Sequence, residues 1–485
     1  MSPRHLLALF FVTTCFHCLG NWALPLIDRD EPRFAEASRE MLERGDYVVP
    51  YFNGEPRFDK PALIYWLQCA SYRMFETNEF AARLPSALCA ALIAVALVVW
   101  GARLFDPATG WRAAAIFSTS LQVIMHARAA VADLAMVACV VAAAWAGWEW
   151  KRALWERPGG GRSWLLALGL ASALGLGFLA KGPIALLPLG MLWWGGWPAP
   201  RAGGSPLLQW LAIIAVALTV IAAWGVPALL RTDGAFAAVG LGKHVVARSV
   251  TAFEGHGSRS LAGYLGMLPF YFVTIWLSFF PWSIWLWPAI RRGFARAAVQ
   301  GSGERYLFTG VALCFAIFTL VATKLPHYTL PAFPFLALLA AAWWRDLPRD
   351  DRNFRRTLFV TITASSIVFL LGFPWLARQF PAVLLHRQAA PLLTREMAFA
   401  TFEFDEPSLV WLFRREVSAF REKLDADEVA AWLQRPGPRL LVLPEDAVTR
   451  FGISALPGYQ IFSASGWHFA KGRPIRLALA VRTAR

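Results

Sequence analysis

Apolar runs long enough to cross a hydrocarbon layer roughly 30 Å thick recur along the chain, separated by short segments that hold nearly all the charge. They fall near residues 5–26, 84–104, 110–127, 130–150, 164–180, 183–199, 208–230, 264–290, 306–323, 327–344 and 357–378. This pattern predicts about 11 to 13 membrane helices in an all-α polytopic protein. Two stretches interrupt it. Residues 27–83 carry the densest mixed charge, and residues 381–485 read as a small soluble domain following a membrane domain over 1–380. In that tail, 408–424 and 427–434 read as helices, the second with Asp425 as cap and Glu428 three residues on. Arg439 to Leu443 and Ile475 to Val481 read as strands, so a small C-terminal α/β extramembrane domain is expected.

The charged segment 27–83 has its own order. Pro32 suits a first helical position and Gly45 a helix stop, which predicts a short helix over 32–44 with Phe34, Ala37 and Met41 on one face. Residues 62–74 are helical in pattern but too short to span, and Tyr65, Trp66 and Tyr72 predict a helix lying in the membrane interface. Between the two, Asn53-Gly54 is a turn signal and Pro61 biases Lys60 towards an extended conformation. Asp59 and Lys60 are thereby presented on a constrained backbone at headgroup depth.

Composition agrees with a lipid solvent, since 57% of residues are hydrophobic and only 16% charged. The net charge of +15 would suggest nucleic-acid binding in a soluble protein. Here topology accounts for it. Arg103 and Arg112, then Lys151, Arg152, Arg157 and Arg162, then Arg291, Arg292, Arg296 and Arg305, then Arg345, Arg349, Arg352, Arg355 and Arg356 fall in alternate loops. The positive-inside rule makes those loops cytoplasmic together with the N-terminus. An odd number of spans then puts 27–83, 231–263 and the C-terminal domain outside, in the periplasm if the membrane is a bacterial inner membrane. Residues 21–26 offer no small-x-small cleavage site, so the first span reads as uncleaved. Cys15, Cys18, Cys89, Cys139 and Cys314 sit inside apolar runs as packing residues, and nothing implies a disulfide scaffold.

Several residues stand out against this background. Adjacent carboxylates at Asp30 and Glu31, just past the first span, either cap the following helix or serve as a base or cation ligand at a low-dielectric boundary. Lys60 beside Asp59 reads as a solvated pair or as an ammonium that meets a lipid phosphate. Asp133 at the outer end of a helical hairpin caps a helix or faces a polar cavity. Lys181 and Lys324 are outer-side exceptions to the charge bias, which calls for a local anion or for snorkelling to headgroups. In the 231–263 loop, His244 could ligate a metal with an acid from elsewhere, although ordinary solvated residues account for it as well. No Walker loop, dinucleotide fingerprint, nucleophile elbow or zinc-protease helix is found, so coupling to ATP is not indicated.

The run Asp30-Glu-Pro-Arg-Phe-Ala-Glu36, then Arg39-Glu-Met-Leu42, Gly45-Asp46, Val49-Pro50, Gly54 and Arg57-Phe-Asp-Lys-Pro61 resembles the first outer loop of the aminoarabinose transferase family, relatives of protein O-mannosyltransferases. Asp133, Lys181-Gly-Pro183, His244 to Arg248 and Lys324-Leu-Pro-His-Tyr-Thr-Leu-Pro331 extend the likeness. It implies a GT-C membrane glycosyltransferase that moves a sugar, such as 4-amino-4-deoxy-L-arabinose, from a polyprenyl (undecaprenyl) phosphate carrier to lipid A or another envelope acceptor. It further implies that Asp30, Asp133 and Glu31 are catalytic, and that Lys60, Arg248, Lys324 and Lys181 bind the carrier phosphate. Arg33, Arg57 and Tyr328 would line the cavity. No cofactor is obligatory, and Asp59 with His244 would form a site that holds a divalent metal in some relatives. Arg57 stands where the family often has an aromatic residue and Asp59 replaces its glutamate, which leaves sugar and acceptor open. A transporter or flippase of a lipid-linked sugar is the competing reading. It needs polar groups at mid-span, and these are sparse.

Overall fold

The computed structural model describes residues 2–156, 160–195, 206–240, 242, 260–299, 301–347 and 351–483. Six helices among them are long and apolar enough to cross a membrane: Glu79–Leu104, Gly161–Lys181, Leu207–Arg231, Leu261–Ser278, Gly303–Leu320 and Asp351–Ala377. The other predicted runs are also helical, but shorter, divided or charged at one end. The run at 110–127 is split into Pro107–Thr119 and Leu121–His126, because Ser120 turns extended (φ −70°, ψ 135°). The run at 183–199 is a 3-10 turn, Pro183–Leu186, followed by helix Leu187–Trp194. Asp133–Glu156 is long enough but ends in charge, with Glu149, Lys151, Arg152 and Glu156 in its last turns.

The largest buried cluster lies between these helices, with Trp100, Phe117, Trp150, Phe333 and Phe335 all fully enclosed. Lipid gives helices no hydrophobic reason to associate, so close packing must do it. Gly101 and Gly110 supply that closeness between Glu79–Leu104 and Pro107–Thr119. A Cβ on Gly101 would lie 2.7 Å from the Gly110 Cα, nearer than carbon atoms approach.

The charged segment folds onto this bundle. Its helix runs Asp30–Arg44 and stops at Gly45, which takes the left-handed conformation (φ 67°) that a side chain resists. Phe34, Ala37 and Met41 are buried on one face, against Ile64, Tyr65 and Cys69 of helix Leu63–Phe75. Tyr65 and Tyr72 of the second helix thus turn inward, into protein, and only Trp66 of the three aromatics is half-buried. Between the helices a hairpin pairs Tyr51 with Pro56 and Phe52 with Glu55. Its turn residues Asn53 and Gly54 both have positive φ (56° and 82°), the geometry that asparagine followed by glycine favours.

One buried ion pair ties the segment down. Arg83, in the first turns of Glu79–Leu104, donates to both Glu31 carboxylate oxygens at 2.8 Å and to the carbonyls of Asn21, Leu24 and Pro25. Glu31 also accepts the amides of Ile27 at 2.8 Å and Ala130 at 2.7 Å. The guanidinium is wholly enclosed. Such a pair gains little over an apolar filling, but loss of one partner strands a charge.

The C-terminal region forms a five-stranded sheet in the order Arg421–Leu424, Ala398–Phe402, Arg439–Pro444, Arg473–Arg482, Tyr459–His468. Its first three strands are parallel and its last two pairings antiparallel. Glu428–Gln434 is helical, and the Asp425 amide is capped by the Glu428 carboxylate at 2.9 Å. The predicted helix over 408–424 is corrected. Helix Pro407–Phe413 is followed by strand Arg421–Leu424, because pairing of Phe399 with Arg421 and Phe402 with Leu424 captures the second half for the sheet. That helix docks on Asp30–Arg44. Arg414 pairs with Glu36 and, at 2.8 Å, with Glu43, while Arg39 donates to the Trp411 carbonyl at 3.2 Å.

Substitution Arg83→Met should cost about 3–5 kcal/mol by leaving the Glu31 carboxylate buried and unpaired. Thermal unfolding of the detergent-solubilised protein reads this, and the Arg83→Met/Glu31→Gln double variant should recover much of the loss. Arg414→Ala should speed hydrogen exchange across Pro407–Phe413 and leave exchange in Glu79–Leu104 unchanged; equal exchange in both proteins would deny the docking role.

Candidate active site

A cavity of about 1040 Å³ opens between the charged segment and the membrane helices. The segment contributes Asp30, Arg33, Glu55, Arg57, Asp59 and Lys60, and the bundle contributes Asp133, Lys181, His327 and Tyr328. The rest of the wall is apolar: Phe178, Ile221, Trp224, Leu229, Phe236, Leu313, Ile317, Phe318 and Val321. Among the described residues, its polar end holds four acids (Asp30, Glu55, Asp59, Asp133) and four bases (Arg33, Arg57, Lys60, Lys181). The shape is amphipathic, with a charged head region beside an apolar flank. That division suits a ligand with a polar head and a hydrocarbon tail.

Helix ends place most of the charged groups. Asp30 opens Asp30–Arg44, and Arg33 follows one turn later. Asp133 opens Asp133–Glu156, while Lys181 closes Gly161–Lys181. An acid at a helix start and a base at a helix end each oppose the helix dipole, so both sit where their charge is favoured. They also meet, with the Lys181 Nζ 2.5 Å from an Asp133 carboxylate oxygen. This contact supplies the local anion that Lys181 requires as an exception to the charge bias.

The opposite wall is built by the chain after the hairpin. Arg57 is buried, donates from Nε to the Tyr65 hydroxyl at 3.1 Å, and pairs with Asp59 at 3.1 Å. Its guanidinium lies 5.0 Å from the Phe34 ring centroid. Burial alone would lower the Arg57 pKa, but Tyr65, Asp59 and Asp30 together hold it above the usual value. Lys60 follows with Nζ donating to the Asp59 carbonyl at 3.2 Å. Phe58 packs edge-on to Phe236, with ring centroids 5.6 Å apart, so an aromatic contact anchors the Asp59-Lys60 backbone to the segment that follows helix Leu207–Arg231.

Of the residues singled out from the sequence, the structure brings Asp30, Arg33, Arg57, Asp59, Lys60, Asp133, Lys181 and Tyr328 to one cavity. Two depart. Glu31 does not line the cavity, because both its oxygens are taken up by Arg83 and by backbone amides. The Glu31 side chain therefore stands in the scaffold behind the cavity, not at the wall where a catalytic role would place it. Lys324 is also turned away: it is 3% exposed and its Nζ donates to the carbonyls of Phe318 at 3.0 Å and Thr319 at 2.6 Å, capping the end of Gly303–Leu320. Arg248 and His244 lie outside the described residues. Of the expected metal pair, His244 lies outside the described residues, and the Asp59 carboxylate pairs with Arg57 at 3.1 Å.

Sequence reasoning missed His327 and the aromatic wall of Trp224 and Phe236. His327 stands three residues after Lys324 in a motif that drew attention for its lysine charge, and a neutral imidazole gave no charge signal. Trp224 is one of many tryptophans near span ends. Its bond from Nε1 to the Val48 carbonyl, at 2.9 Å, crosses to the charged segment and has no sequence signature.

The dolichyl-phosphate-mannose-protein mannosyltransferase family matches residues 6–229. An undecaprenyl phosphate-alpha-4-amino-4-deoxy-L-arabinose arabinosyl transferase 2 of Sodalis glossinidius is 34% identical over 318 residues, covering 65% of this chain and 55% of the relative. The corresponding transferase of Edwardsiella ictaluri is 29% identical over 360 residues, covering 71% and 61%. The chain therefore spans a little over half the length of these curated relatives. In fold, it is similar to ArnT from Cupriavidus metallidurans, a structure bound to undecaprenyl phosphate, with a TM-score of 0.73, 17% identity and coverage of 99% of this chain and 98% of that one. The apo structure of the same protein matches equally. Together with the motifs of the charged segment and the helical bundle around them, these matches show a multi-pass membrane protein with the fold of ArnT, similar in sequence to the aminoarabinose transferases and to the protein mannosyltransferases.

Proposed function

We propose that this chain is an integral membrane glycosyltransferase that takes a sugar from a polyprenyl monophosphate carrier and attaches it to a lipid acceptor. The observation that carries this reading is the convergence of Lys60, Asp30 and Asp133 on one cavity whose other side is apolar. The apolar flank holds the polyprenyl chain, and the charged end holds the phosphate and sugar. In line with the names of the curated relatives, the sugar is 4-amino-4-deoxy-L-arabinose and the carrier undecaprenyl phosphate, and the acceptor we propose is lipid A. The membrane is the bacterial inner membrane, with the N-terminus cytoplasmic and the cavity and C-terminal domain on the periplasmic face. The charge bias of the loops supports that orientation.

The reaction forms a bond from an acceptor oxygen to the sugar's anomeric carbon as the bond from that carbon to the carrier phosphate breaks. Negative charge grows on the departing phosphate, and a fixed cation lowers the barrier by neutralising it. Lys60 fills that role, with Arg33 on the same wall as a further cation. A phosphate acceptor is already an anion and needs no strong base, whereas a hydroxyl acceptor would give its proton to Asp30. Asp133, held in place by Lys181, orients the amino and hydroxyl groups of the sugar. Attack from the face opposite the leaving phosphate inverts the anomeric centre. No step requires a bound metal, since the countercharge is supplied by side chains.

The flippase reading requires a path to both membrane faces, and it finds less support: the charged groups gather at one end of the bundle while the helices beyond remain apolar. In proteoliposomes, movement of the carrier lipid without glycoside formation would favour it.

Lys60→Ala should lower transfer by about 10²–10³-fold, the usual cost of removing one preorganised charge from a transition state. Asp30→Asn should also abolish most transfer. Mass spectrometry of lipid A from cells expressing each variant reads the added sugar, and membrane fractions check insertion. Full modification of lipid A in both variants would defeat the assignment.

A further inference from the structure

On the bundle side of the cavity, His126, Asp133 and His327 each place one ligand atom within 4.8 Å of the others. They come from three elements, helices Leu121–His126 and Asp133–Glu156 and the 3-10 turn Pro326–Ala332. We propose that these residues form a two-histidine, one-carboxylate site for a borderline-soft divalent ion of the zinc class, distinct from the pairing of Asp59 and His244.

The donor set fits that ion. Two imidazoles and a carboxylate are the ligands of many zinc sites, and three protein ligands leave a position open to the cavity. The His126 ring is held by Gln122, whose carbonyl oxygen lies 3.1 Å and whose side-chain Nε2 lies 2.9 Å from Nδ1; in the tautomer that donates Nδ1–H to the carbonyl, the Nε2 lone pair is left for a metal. A ring nitrogen bonded to a backbone carbonyl is the usual support behind a metal-bound histidine. His327 lines the cavity, its ring centroid 5.1 Å from that of His126. Among the described residues, no hydrogen bond occupies its ring nitrogens.

Two physical costs set the behaviour of the site. Ligands each about 2.1 Å from an ion in tetrahedral geometry are roughly 3.4 Å apart, so the widest-spaced of the three groups must close by up to about 1.4 Å. More important, the Lys181 ammonium already sits 2.5 Å from Asp133. A divalent ion and that ammonium compete for one carboxylate. Metal binding therefore weakens the hold on Lys181, through shared use of the carboxylate and repulsion between the two cations, and removing the lysine charge strengthens metal binding.

The test uses the purified full-length chain in detergent, with zinc and its spectroscopic substitute cobalt(II) as probes, and reads no transfer. It thus stands or falls independently of the proposed reaction. One equivalent of zinc should bind. The His126→Ala/His327→Ala double variant should weaken binding by at least about 100-fold, more than the loss of a mere supporting group costs. Lys181→Met should tighten it by about tenfold, because the competing state is removed. Zinc should also protect His126 and His327 of the wild-type chain from diethyl pyrocarbonate, a measurement by peptide mass spectrometry that needs no variant. Equal zinc binding by the wild type and the double variant, weaker binding by Lys181→Met, or full modification of both histidines in zinc-saturated protein would each overturn the proposal.

Discussion

The contact between Arg83 and Glu31 is the constraint on which the cavity depends. Five backbone groups from two stretches of chain meet at this one pair: Arg83 holds the carbonyls of Asn21, Leu24 and Pro25, and Glu31 holds the amides of Ile27 and Ala130. Asp30 is the neighbour of Glu31, and Asp133 lies three residues beyond Ala130. The two acids that face the cavity from opposite sides are therefore referenced to a single buried ion pair. A charge network of this kind adds little to stability over apolar packing, but it fixes register, because any displaced partner would be left charged and dry.

Around that anchor the site separates two tasks by solvent. Lipid-facing helices provide an apolar flank without cost, since their surfaces are apolar wherever they point. The charged end must instead be assembled from helix termini, where acids and bases are favoured by the backbone dipoles. The pairing of Lys181 with Asp133 and of Arg57 with Asp59 limits the cost of holding these charges out of bulk water. Helix Pro407–Phe413 of the C-terminal region braces the arrangement by seating Arg414 on the acids of helix Asp30–Arg44.

Much of this was legible in the sequence, for reasons that differ by element. Apolar runs announce membrane helices because lipid admits little else, and Gly45 and Asn53-Gly54 announce a stop and a turn because of their backbone freedom. The motifs around Asp30, Lys60 and Asp133 were legible as a family likeness, though what joins them was not. Glu31 looked like a partner of Asp30 in chemistry, but a residue's direction depends on Arg83, 52 positions away. Lys324 looked like a phosphate ligand, yet the unpaired carbonyls at the end of Gly303–Leu320 claim its ammonium. Residues 408–424 have a helical pattern, and only the edge of a sheet formed by Ala398–Phe402 makes the last four a strand. In each case the deciding partner is distant in sequence, so local pattern carries no trace of it.

The central claim is that the polar end of the cavity is the seat of a lipid phosphate. The most direct measurement is a structure of the chain with its polyprenyl-phosphate-sugar donor bound. The account predicts the phosphate in hydrogen-bonding contact with the Lys60 Nζ, the sugar between Asp30 and Asp133, and the first isoprene units along Trp224 and Phe236. A phosphate seated away from Lys60, with the sugar touching neither acid, would contradict it.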